Sequence, residues 1–519
     1  MKNKNHLLQR NERRSFSIFA ILIRSLFGIS LLLIQLAIYY FLIFGLFWIP
    51  YITLLSYILC LVVVTKIYSS DKNPSYKLTW TIVCFMFSVS GPMFYLLFGT
   101  GSNFPKKKND KIMAYLDQKL ITNDNLEKLK LEDSIGYKHA KLLHYGSDGY
   151  PLYDNTPNVF FKDGLEFYND MVQKIKDAKK FIFLEFFIIG EGELFNELFP
   201  ILTQKAKDGV EVKVIYDAIG SGSVLRKKTV RKLNLTPNFK MIPYNPFGKD
   251  LSFTVNYRDH RKIVVIDGLY SYVGGLNLDD EYIHKTVRFG HWRDNGMLLE
   301  GRACHSFTLL FAQNWYMSTK EMLVIEDYKP VYPEYKEKGY VFGFGDGPTN
   351  HKNPAYDMFL SLINNAKESI YISTPYFVID SQFIAAITQA IHSGIDVKIM
   401  IPGIPDKKSV FRVTQAHMKN ILFAGGEVYE YTPGFNHAKN IVVDGKYAFV
   451  GTVNLDYRSL FLHFECGNLM MHTDSIKDIE QDFLDTIKEC KLITVNEWRK
   501  RPLVHKLLSF IVTILGPLI

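Results

Sequence analysis

A motif that occurs twice restricts the fold of this 519-residue chain more than any other feature of its sequence. Both copies have the order His, Lys, Asp, Gly, Asn, and the spacing between these members is the same in both. The members are His260, Lys262, Asp267, Gly274 and Asn277 in the first copy and His437, Lys439, Asp444, Gly451 and Asn454 in the second. Two matches at fixed spacing are not a chance event in a chain of this length, so they indicate a duplicated unit.

The sequence before each motif repeats as well. In the first copy a helix-like segment at 164–180 precedes an apolar run at 181–189. In the second copy a helix-like segment that ends at Lys367 precedes a strand candidate at 369–373. Alternating helices and strands predict buried, mainly parallel sheets. The copies lie about 180 residues apart, which is too long for a solenoid repeat and predicts two tandem lobes.

The predicted fold class is therefore α/β. We expect two tandem lobes whose mixed, mainly parallel sheets pack as a pseudo-twofold pair, preceded by N-terminal transmembrane helices. The predicted segments are a membrane region at 1–105, a linker at 106–147, a first lobe at 148–327, a connector at 328–350, a second lobe at 351–498 and a basic, apolar tail at 499–519. The tail is predicted either to lie in a membrane interface or to pack on the lobes, and the sequence does not choose between the two.

The N-terminal region is apolar enough to enter a membrane. No charged residue occurs from Ser25 to Thr65, a run of 41 positions, and none from Leu78 to Phe98, a run of 21. Because one membrane helix needs ~20 residues, these runs predict three spans. The expected spans are about 25–47, 49–67 and 78–98. The alternative, a signal peptide with buried core helices, would have a shorter apolar stretch and a small-residue cleavage site.

Charge does not fix which side of the membrane the lobes occupy. Basic residues before the first span and after the second place both segments in the cytoplasm, so a third span would carry the lobes outside. The lysines at 106, 107, 108 and 111 follow that span and argue for the inside, so the face stays open. The net charge of +9 fits contact with anionic phospholipid or with nucleic acid. The five scattered cysteines exclude a disulfide-built scaffold.

Each motif supplies half of a site for a phosphodiester. His260 and Lys262 share one face of a predicted strand, because side chains on a strand alternate with period two. Asp267 and Gly268 predict a hairpin turn after that strand. Two half-sites combine histidines for nucleophilic and acid–base chemistry with lysines and asparagines that bind phosphate oxygens. The lysines replace a metal, so no metal or cofactor is expected, and each aspartate fits a turn role as well as a catalytic one.

The paired motif resembles that of the phospholipase D superfamily, and the wider chain, from Lys66 onward, resembles the bacterial cardiolipin synthases of that superfamily. The resemblance is carried by GPMFYLLFG at Gly91–Gly99, HWRD at His291–Asp294, STPYF at Ser373–Phe377 and NLDYRSLFLHFE at Asn454–Glu465. Gly275 and Thr452 replace the more usual serine after the motif glycine. Gly296 replaces a histidine expected after WRD, which weakens a catalytic role for that segment.

The resemblance implies two phospholipase D-like lobes and the synthesis of cardiolipin from two phosphatidylglycerol molecules, with release of glycerol. It implies that His260 forms a phosphatidyl-histidine and that His437 acts first as an acid and then as a base. The implied catalytic set is His260, Lys262, Asp267, His437, Lys439 and Asp444, with Asn277 and Asn454 on the phosphate and Glu465 orienting one histidine. It also implies a multi-pass protein of the bacterial cell membrane that binds phosphatidylglycerol and cardiolipin and no nucleic acid. The oligomeric state is left open.

Three other functions remain open from the sequence alone. A phospholipase D-type hydrolase would use water in place of the second alcohol, and another phosphatidyltransferase would use a different headgroup alcohol. A membrane-tethered nuclease belongs to a different class of protein. The chain lacks the clustered basic and aromatic platform of single-strand binders, which disfavours the nuclease.

Overall fold

The structure is a computed structural model, and it divides into two compact units. The residues that it describes are 30, 33–37, 39–40, 49–70, 72–99, 124–246, 257–350, 352–502, 509, 513 and 516. The described residues up to Gly99 belong to the N-terminal unit, and the larger unit holds both copies of the motif. The two predicted lobes therefore fold into one unit.

The N-terminal unit is helical. Its helices are α1 (Ile49–Tyr68), α2 (Pro74–Met86) and α3 (Ser90–Phe94), and α3 continues into a π-helix at Tyr95–Gly99. The bounds of α1 agree with the second predicted span, 49–67. The third predicted span, 78–98, does not form one continuous helix, because residues 87–89 interrupt the helix between α2 and α3.

The break has a local cause. Phe87 leaves the helical conformation at the end of α2, with φ −127° and ψ 73°. A Cβ atom on Gly91 would lie 2.4 Å from the carbonyl oxygen of Val83, so the two helices approach at a distance that only glycine permits. The side chain of Gln35 accepts hydrogen bonds from the amides of Val89 and Ser90 at the start of α3. Those amides thus have a partner even though α2 does not continue.

The transmembrane helices stay a prediction. The first predicted span, 25–47, lies mostly outside the described residues. Within the segments that the structure describes, no helix is both long and apolar enough to cross a membrane.

The larger unit alternates helices and strands as predicted. Its strands up to residue 300 are β1 (Tyr153–Asp154), β2 (Asn158–Phe161), β3 (Phe181–Phe186), β4 (Glu211–Asp217), β5 (Phe239–Tyr244), β6 (Lys262–Ile266), β7 (Tyr270–Gly274), β8 (His291–Arg293) and β9 (Gly296–Glu300). The later strands are β10 (Tyr340–Asp346), β11 (Ser369–Ser373), β12 (Phe377–Val378), β13 (Asp396–Pro402), β14 (Glu427–Tyr431), β15 (Gly434–Asn436), β16 (Asn440–Val443), β17 (Tyr447–Gly451), β18 (Leu455–Asp456), β19 (Glu465–Met471) and β20 (Cys490–Ile493). The α-helices are α4 (Asp124–Glu132), α5 (Ser134–Gly146), α6 (Gly164–Asp177), α7 (Glu193–Lys207), α8 (Lys227–Leu233), α9 (Cys304–Thr319), α10 (Pro354–Asn365), α11 (Ser381–His392), α12 (Lys408–Ala424), α13 (Tyr457–Phe461), α14 (Ser475–Thr486) and α15 (Val495–Arg499).

Two large sheets repeat one strand order. The first is β2-β9-β7-β6-β3-β4-β5 and the second is β1-β10-β19-β17-β16-β11-β13-β14-β20. The order β9-β7-β6-β3-β4-β5 corresponds strand by strand to β19-β17-β16-β11-β13-β14. This correspondence confirms the predicted duplication of an α/β lobe.

The sheets are mixed, but the prediction that they are mainly parallel is wrong. In the described sheets, parallel pairing joins β3 to β4 and β4 to β5, and it joins β11 to β13 and β13 to β14. The other pairs in these two sheets are antiparallel. The cause is the motif itself, because each copy folds as a hairpin, and its first strand runs antiparallel to β3 or β11.

Helix α9 lies between the two sheets and ties them together. Its residues from Cys304 to Trp315 are all buried. Phe311 stacks on Phe183 of the first sheet with ring centroids 4.3 Å apart. On the other side, a Cβ atom on Gly345 of β10 would lie 2.3 Å from Leu310, so the second sheet approaches α9 at a glycine. One hydrophobic core therefore spans both lobes.

Two predicted segment boundaries differ from the structure. The predicted linker, 106–147, contains α4 and α5, and His139 of α5 hydrogen-bonds Ser361 of α10 at 2.8 Å. The predicted connector, 328–350, contains β10, which pairs with β19 inside the second sheet. Both stretches carry buried apolar residues, so they belong to the folded unit and not to linkers.

Candidate active site

Each motif histidine directly precedes the motif hairpin and is held in place by the other lobe. The amide of His260 donates to the carbonyl oxygen of Phe464, 2.9 Å away, and the amide of His437 donates to that of Arg293, 2.7 Å away. In both cases the accepting residue directly precedes a carboxylate in the sequence. The backbone therefore brings the histidine of each lobe next to a carboxylate of the other lobe.

Two buried histidine–carboxylate pairs result. Nδ1 of His260 lies 2.9 Å from both carboxylate oxygens of Glu465. Nδ1 of His437 lies 2.5 Å from Asp294. An ionised carboxylate only accepts hydrogen bonds, so each Nδ1 carries the proton and each Nε2 keeps its lone pair. Glu465 is thus placed against a histidine as the sequence analysis expected.

The residue after each motif glycine fits the carboxylate beside it. A Cβ atom on Gly275 would lie 2.0 Å from Oδ1 of Asp294, so no side chain is accommodated there. At the corresponding position of the second copy, Thr452 donates its hydroxyl to Glu465. The two departures from serine therefore have different structural reasons, one steric and one a hydrogen bond.

The motif lysines are buried beside the histidines. Nζ of Lys262 donates to the carbonyl oxygen of His260 at 2.6 Å, and Nζ of Lys439 donates to that of His437. Burial lowers the pKa of Lys262 to about 8 and that of Lys439 to about 7, because desolvation disfavours the charged amine. A bound phosphate would favour the charged amines, so we expect both lysines to be ammonium ions in a substrate complex.

Burial also keeps both imidazoles neutral. It lowers the pKa of His260 to about 3 and that of His437 to about 4, although the paired carboxylates oppose the shift. Burial alone would raise the pKa of Glu465, but the neighbouring His260 lowers that pKa below its usual value. A neutral imidazole whose Nε2 is unprotonated is a nucleophile or a general base at neutral pH.

The two motif asparagines are buried but differ in their contacts. Oδ1 of Asn277 accepts from the amide of Ile188 at 3.0 Å, and its Nδ2 donates to the Tyr282 hydroxyl at 2.6 Å. The ring centroid of Tyr282 lies 5.5 Å from that of His437. Oδ1 of Asn454 is buried and has no hydrogen-bond partner within the described residues. Asn277 is therefore fixed by the protein near His437.

The two motif aspartates do not join the site. Each follows the far end of the first hairpin strand, five residues after the motif lysine, which corresponds to about 16 Å at ~3.3 Å per residue. The carboxylate of Asp267 accepts from the amides of Lys179, Lys180 and Phe181. Asp444 likewise accepts from the amides of Lys367, Glu368 and Ser369 at the start of β11. The catalytic role predicted for Asp267 and Asp444 is thus corrected to a structural one, in which each carboxylate ties the hairpin turn to the start of the neighbouring strand.

Sequence reasoning missed Asp294, although HWRD contained it. The absence of a histidine at Gly296 weakened that segment as a candidate. In the structure a Cβ atom on Gly296 would lie 2.5 Å from the ring of Phe167, so the position serves packing. The hydrogen bond from His437 to Asp294 does not involve Gly296.

The chain has two lobes, and each contributes one buried half-site with a histidine and a lysine. This arrangement is characteristic of phospholipase D-like proteins. A family model described as "Cardiolipin synthase, PLD-like domain" matches residues 171–299 and 359–487. A model described as "Phospholipase_D-nuclease N-terminal" matches residues 55–99.

Comparison with similar proteins identifies the family within this class. The chain is 36% identical to cardiolipin synthase 2 of Bacillus anthracis, over 87% of this chain and 88% of the relative. It is 34% identical to a cardiolipin synthase of Alkalihalophilus pseudofirmus, over 87% of this chain and 91% of the relative. The crystal structure of phosphatidylserine synthase of Haemophilus influenzae has a TM-score of 0.57 and 15% identity, covering 73% of this chain and 100% of that one, and supports the fold. The chain belongs to the cardiolipin synthase family of phospholipase D-like proteins, and the predicted family and enzyme class, a phosphatidyltransferase, are confirmed.

A substitution at a motif aspartate should affect stability and not turnover. Asp267→Ala removes the acceptor of three amide hydrogen bonds, and we expect it to lower the free energy of unfolding by about 1–3 kcal/mol. Asp267→Asn keeps an accepting oxygen and tolerates the left-handed backbone, φ 53°, so it should lose less. Thermal unfolding in detergent and kcat measure the two effects. If Asp267→Ala lowers kcat but leaves the thermal stability unchanged, Asp267 has a catalytic role.

The two carboxylates of the histidine pairs should both be needed for turnover. Asp294→Asn and Glu465→Gln keep the side-chain shape but favour the wrong imidazole tautomer, and we expect each to lower kcat by about 10³-fold or more. Asp478→Asn, an exposed acid on α14, is the matched control and should leave kcat unchanged. A wild-type kcat in either site variant would mean that the histidines do not depend on these carboxylates.

Proposed function

We propose that this protein transfers a phosphatidyl group from one phosphatidylglycerol to another, which yields cardiolipin and glycerol. The observation that carries the proposal is the pair of buried histidine–carboxylate contacts, each assembled from both lobes. A two-step exchange on one phosphorus needs a nucleophile and a separate acid–base group, and two such histidines meet that need.

In the first step Nε2 of His260 bonds to phosphorus while the bond from phosphorus to the glycerol oxygen breaks. His437, protonated on Nε2, gives its proton to that oxygen. The low pKa of His437 in the empty site favours the neutral form, and the anionic phosphate of a bound lipid shifts it towards the charged form. The products of this step are glycerol and a phosphatidyl-histidine.

In the second step His437 acts as the base. Its Nε2 takes the proton of a glycerol hydroxyl on a second phosphatidylglycerol, and that oxygen attacks phosphorus as the bond to His260 breaks. Cardiolipin leaves, and both histidines return to the forms in which they entered the first step, His260 neutral and His437 protonated on Nε2. Lys262 and Lys439 stabilise the charge on the phosphate oxygens in both steps, which is the work a metal ion performs in other phosphoryl-transfer sites.

The same proposal places the protein in the bacterial cell membrane as a multi-pass protein. The uncharged runs of the N-terminal region support this, as does α1, which exposes large apolar side chains. Those side chains are Tyr51, Leu54, Leu55, Tyr57, Ile58, Leu59, Leu61 and Val62. Both substrates and product are lipids, so a catalytic unit tethered to the bilayer never has to extract them far from it.

A product analysis tests the proposal. Purified protein supplied with phosphatidylglycerol alone should form cardiolipin and one glycerol per cardiolipin, without any nucleotide-activated lipid and in the presence of a metal chelator. Lipid mass spectrometry and an enzymatic glycerol assay measure the two products. Phosphatidic acid with no cardiolipin would instead identify a hydrolase. Activity that a chelator removes and a metal restores would contradict the role given to the lysines.

Histidine variants are the control for that assay. His260→Ala and His437→Ala should each remove nearly all turnover, and the double variant should be little worse, because groups that act as a unit are not additive. With a phosphatidyl ester of an acidic phenol, His437→Ala should trap label on His260, since the leaving group needs no proton and no base activates the second alcohol. Half of the activity in each single variant would mean two independent sites.

The lysines should give the activity an alkaline limit. As Lys439 and then Lys262 lose their protons near pH 7 and pH 8, kcat/KM should fall more steeply than the loss of the His437 proton alone requires, because only the charged amines stabilise the phosphate. Lys439→Arg keeps its charge at all these pH values, so the decline in that variant should move to higher pH. The pH profile of kcat/KM from about pH 5 to 10 measures this. If the decline occurs at the same pH in the wild-type protein and in Lys439→Arg, a group other than Lys439 causes it.

A further inference from the structure

A third histidine lies in the His260 half-site and has no place in the proposed chemistry. His463 stands two residues before Glu465, and 11% of its side chain is exposed. Both ring nitrogens are buried, and neither makes a hydrogen bond within the described part of the chain. Burying the polar nitrogens of an imidazole without hydrogen bonds costs free energy, so a ligand bound to these nitrogens would stabilise the site.

The nitrogens of His463 converge with two other metal-ligating groups. Nδ1 of His463 lies 3.8 Å from Oε1 of Glu465, and Nδ1 of His260 lies 2.9 Å from the same carboxylate. Ligand atoms of the three residues all lie within 4.8 Å of one another. In tetrahedral zinc sites with bonds of ~2.0–2.1 Å, neighbouring ligand atoms are about 3.3 Å apart. Side-chain movements on the order of 1 Å would therefore place all three on one ion.

The corresponding position in the other half-site gives an internal comparison. Trp292 stands two residues before Asp294, just as His463 stands two residues before Glu465. The Trp292 ring lies 5.3 Å from the ring of His437, and the His463 ring lies 5.7 Å from that of His260. The His437 half-site shows that an aromatic ring without nitrogen ligands is enough to pack against the imidazole. The ring at the same position in the His260 half-site also carries two nitrogens that can bind a metal.

We propose that His260, His463 and Glu465 form a binding site for a transition-metal cation of the Zn²⁺ type, and that the cation inhibits the enzyme. Two imidazoles and one carboxylate suit Zn²⁺ and related ions and do not suit Mg²⁺ or Ca²⁺, which prefer oxygen ligands. The site goes beyond the proposed function, but its inhibitory effect rests on the role given there to His260.

Inhibition follows from the tautomer of His260. In the metal-free site the proton of the neutral ring is on Nδ1, in the hydrogen bond to Glu465, and the lone pair is on Nε2. When Nδ1 binds the cation, that proton moves to Nε2 by way of solvent, and the ring stays neutral. Nε2 then has no lone pair for phosphorus, so His260 cannot start the transfer.

The test combines inhibition with direct binding on the full-length protein in detergent. His463→Phe keeps an aromatic ring against His260, as Trp292 does against His437, and removes both nitrogen ligands. We expect Zn²⁺ to inhibit the wild-type protein reversibly, with activity recovered by a chelator, and the concentration for half-inhibition to rise at least tenfold in His463→Phe. Mg²⁺ should have no such effect. His392→Phe, at an exposed histidine of α11, is the matched control and should behave as wild type.

Binding is measured separately from activity, by Co²⁺ absorption and by zinc titration calorimetry. His463→Phe should bind one ion fewer than wild type. The remaining zinc would sit at the described cluster of Asp163, His284 and His291, which lies apart from the motif histidines in sequence. Equal stoichiometry and equal inhibition in wild type and His463→Phe would overturn the site. If His463→Phe does not fold, His463→Gln takes its place.

The two proposals fail in distinguishable ways. Suppose that the wild-type protein makes no cardiolipin but binds one ion more than His463→Phe does. That result would support the metal site and contradict the proposed function. Cardiolipin synthesis that Zn²⁺ inhibits equally in wild type and in His463→Phe would contradict the metal site alone.

Discussion

The active site depends on an exchange of carboxylates between the lobes. Glu465 of the second lobe orients His260 of the first, and Asp294 of the first lobe orients His437 of the second. Backbone pairing fixes this exchange, because β8 pairs in parallel with β15 just before Asp294 and His437, and Asp259 bridges to Phe464 on the other side. Neither lobe alone holds an oriented histidine, so the docking of the sheets around α9 is a condition for catalysis and not only for stability.

Burial gives the site its chemical character. The two histidines, two lysines and two carboxylates of the half-sites are all buried in the core of the larger unit. Taking charges out of water is costly, and these groups offset part of the cost by pairing with one another, with backbone groups and with the Thr452 hydroxyl. The same low dielectric strengthens the attraction between the lysines and a phosphate, so the arrangement that is costly without substrate is favourable in the transition state.

The sequence predicts the half-sites better than it predicts how they meet. The spacing from His260 to Gly274 specifies a strand, a tight turn and a strand, and the structure has them, with Asp267 and Gly268 in the left-handed region. The histidine partners are 205 and 143 residues away in the chain, and no local pattern encodes such contacts. The sequence analysis placed Asp267 in the catalytic set because it repeats at fixed spacing with His260 and Lys262. A residue that shapes a turn repeats in a duplicated lobe just as a catalytic residue does. The break before Gly91 escaped prediction for a similar reason, since hydropathy does not register a close helix–helix approach.

A symmetric frame with asymmetric contacts suits a reaction in which two histidines play different parts. Corresponding positions hold Thr452, His463 and Arg261 around His260, and Gly275, Trp292 and Ala438 around His437. Arg261 is buried and donates to the carbonyl oxygen of Glu465 at 3.2 Å, a contact that Ala438 cannot make on the other side. The duplicated backbone therefore fixes where the two imidazoles stand, whereas these substitutions set how firmly each is held. A nucleophile gains from a rigid setting because it must stay aligned with phosphorus through both steps, and an acid–base group must exchange its proton between them. The contacts that Arg261 and Thr452 add to Glu465 lie on the side of His260, to which the proposed function assigns the nucleophile.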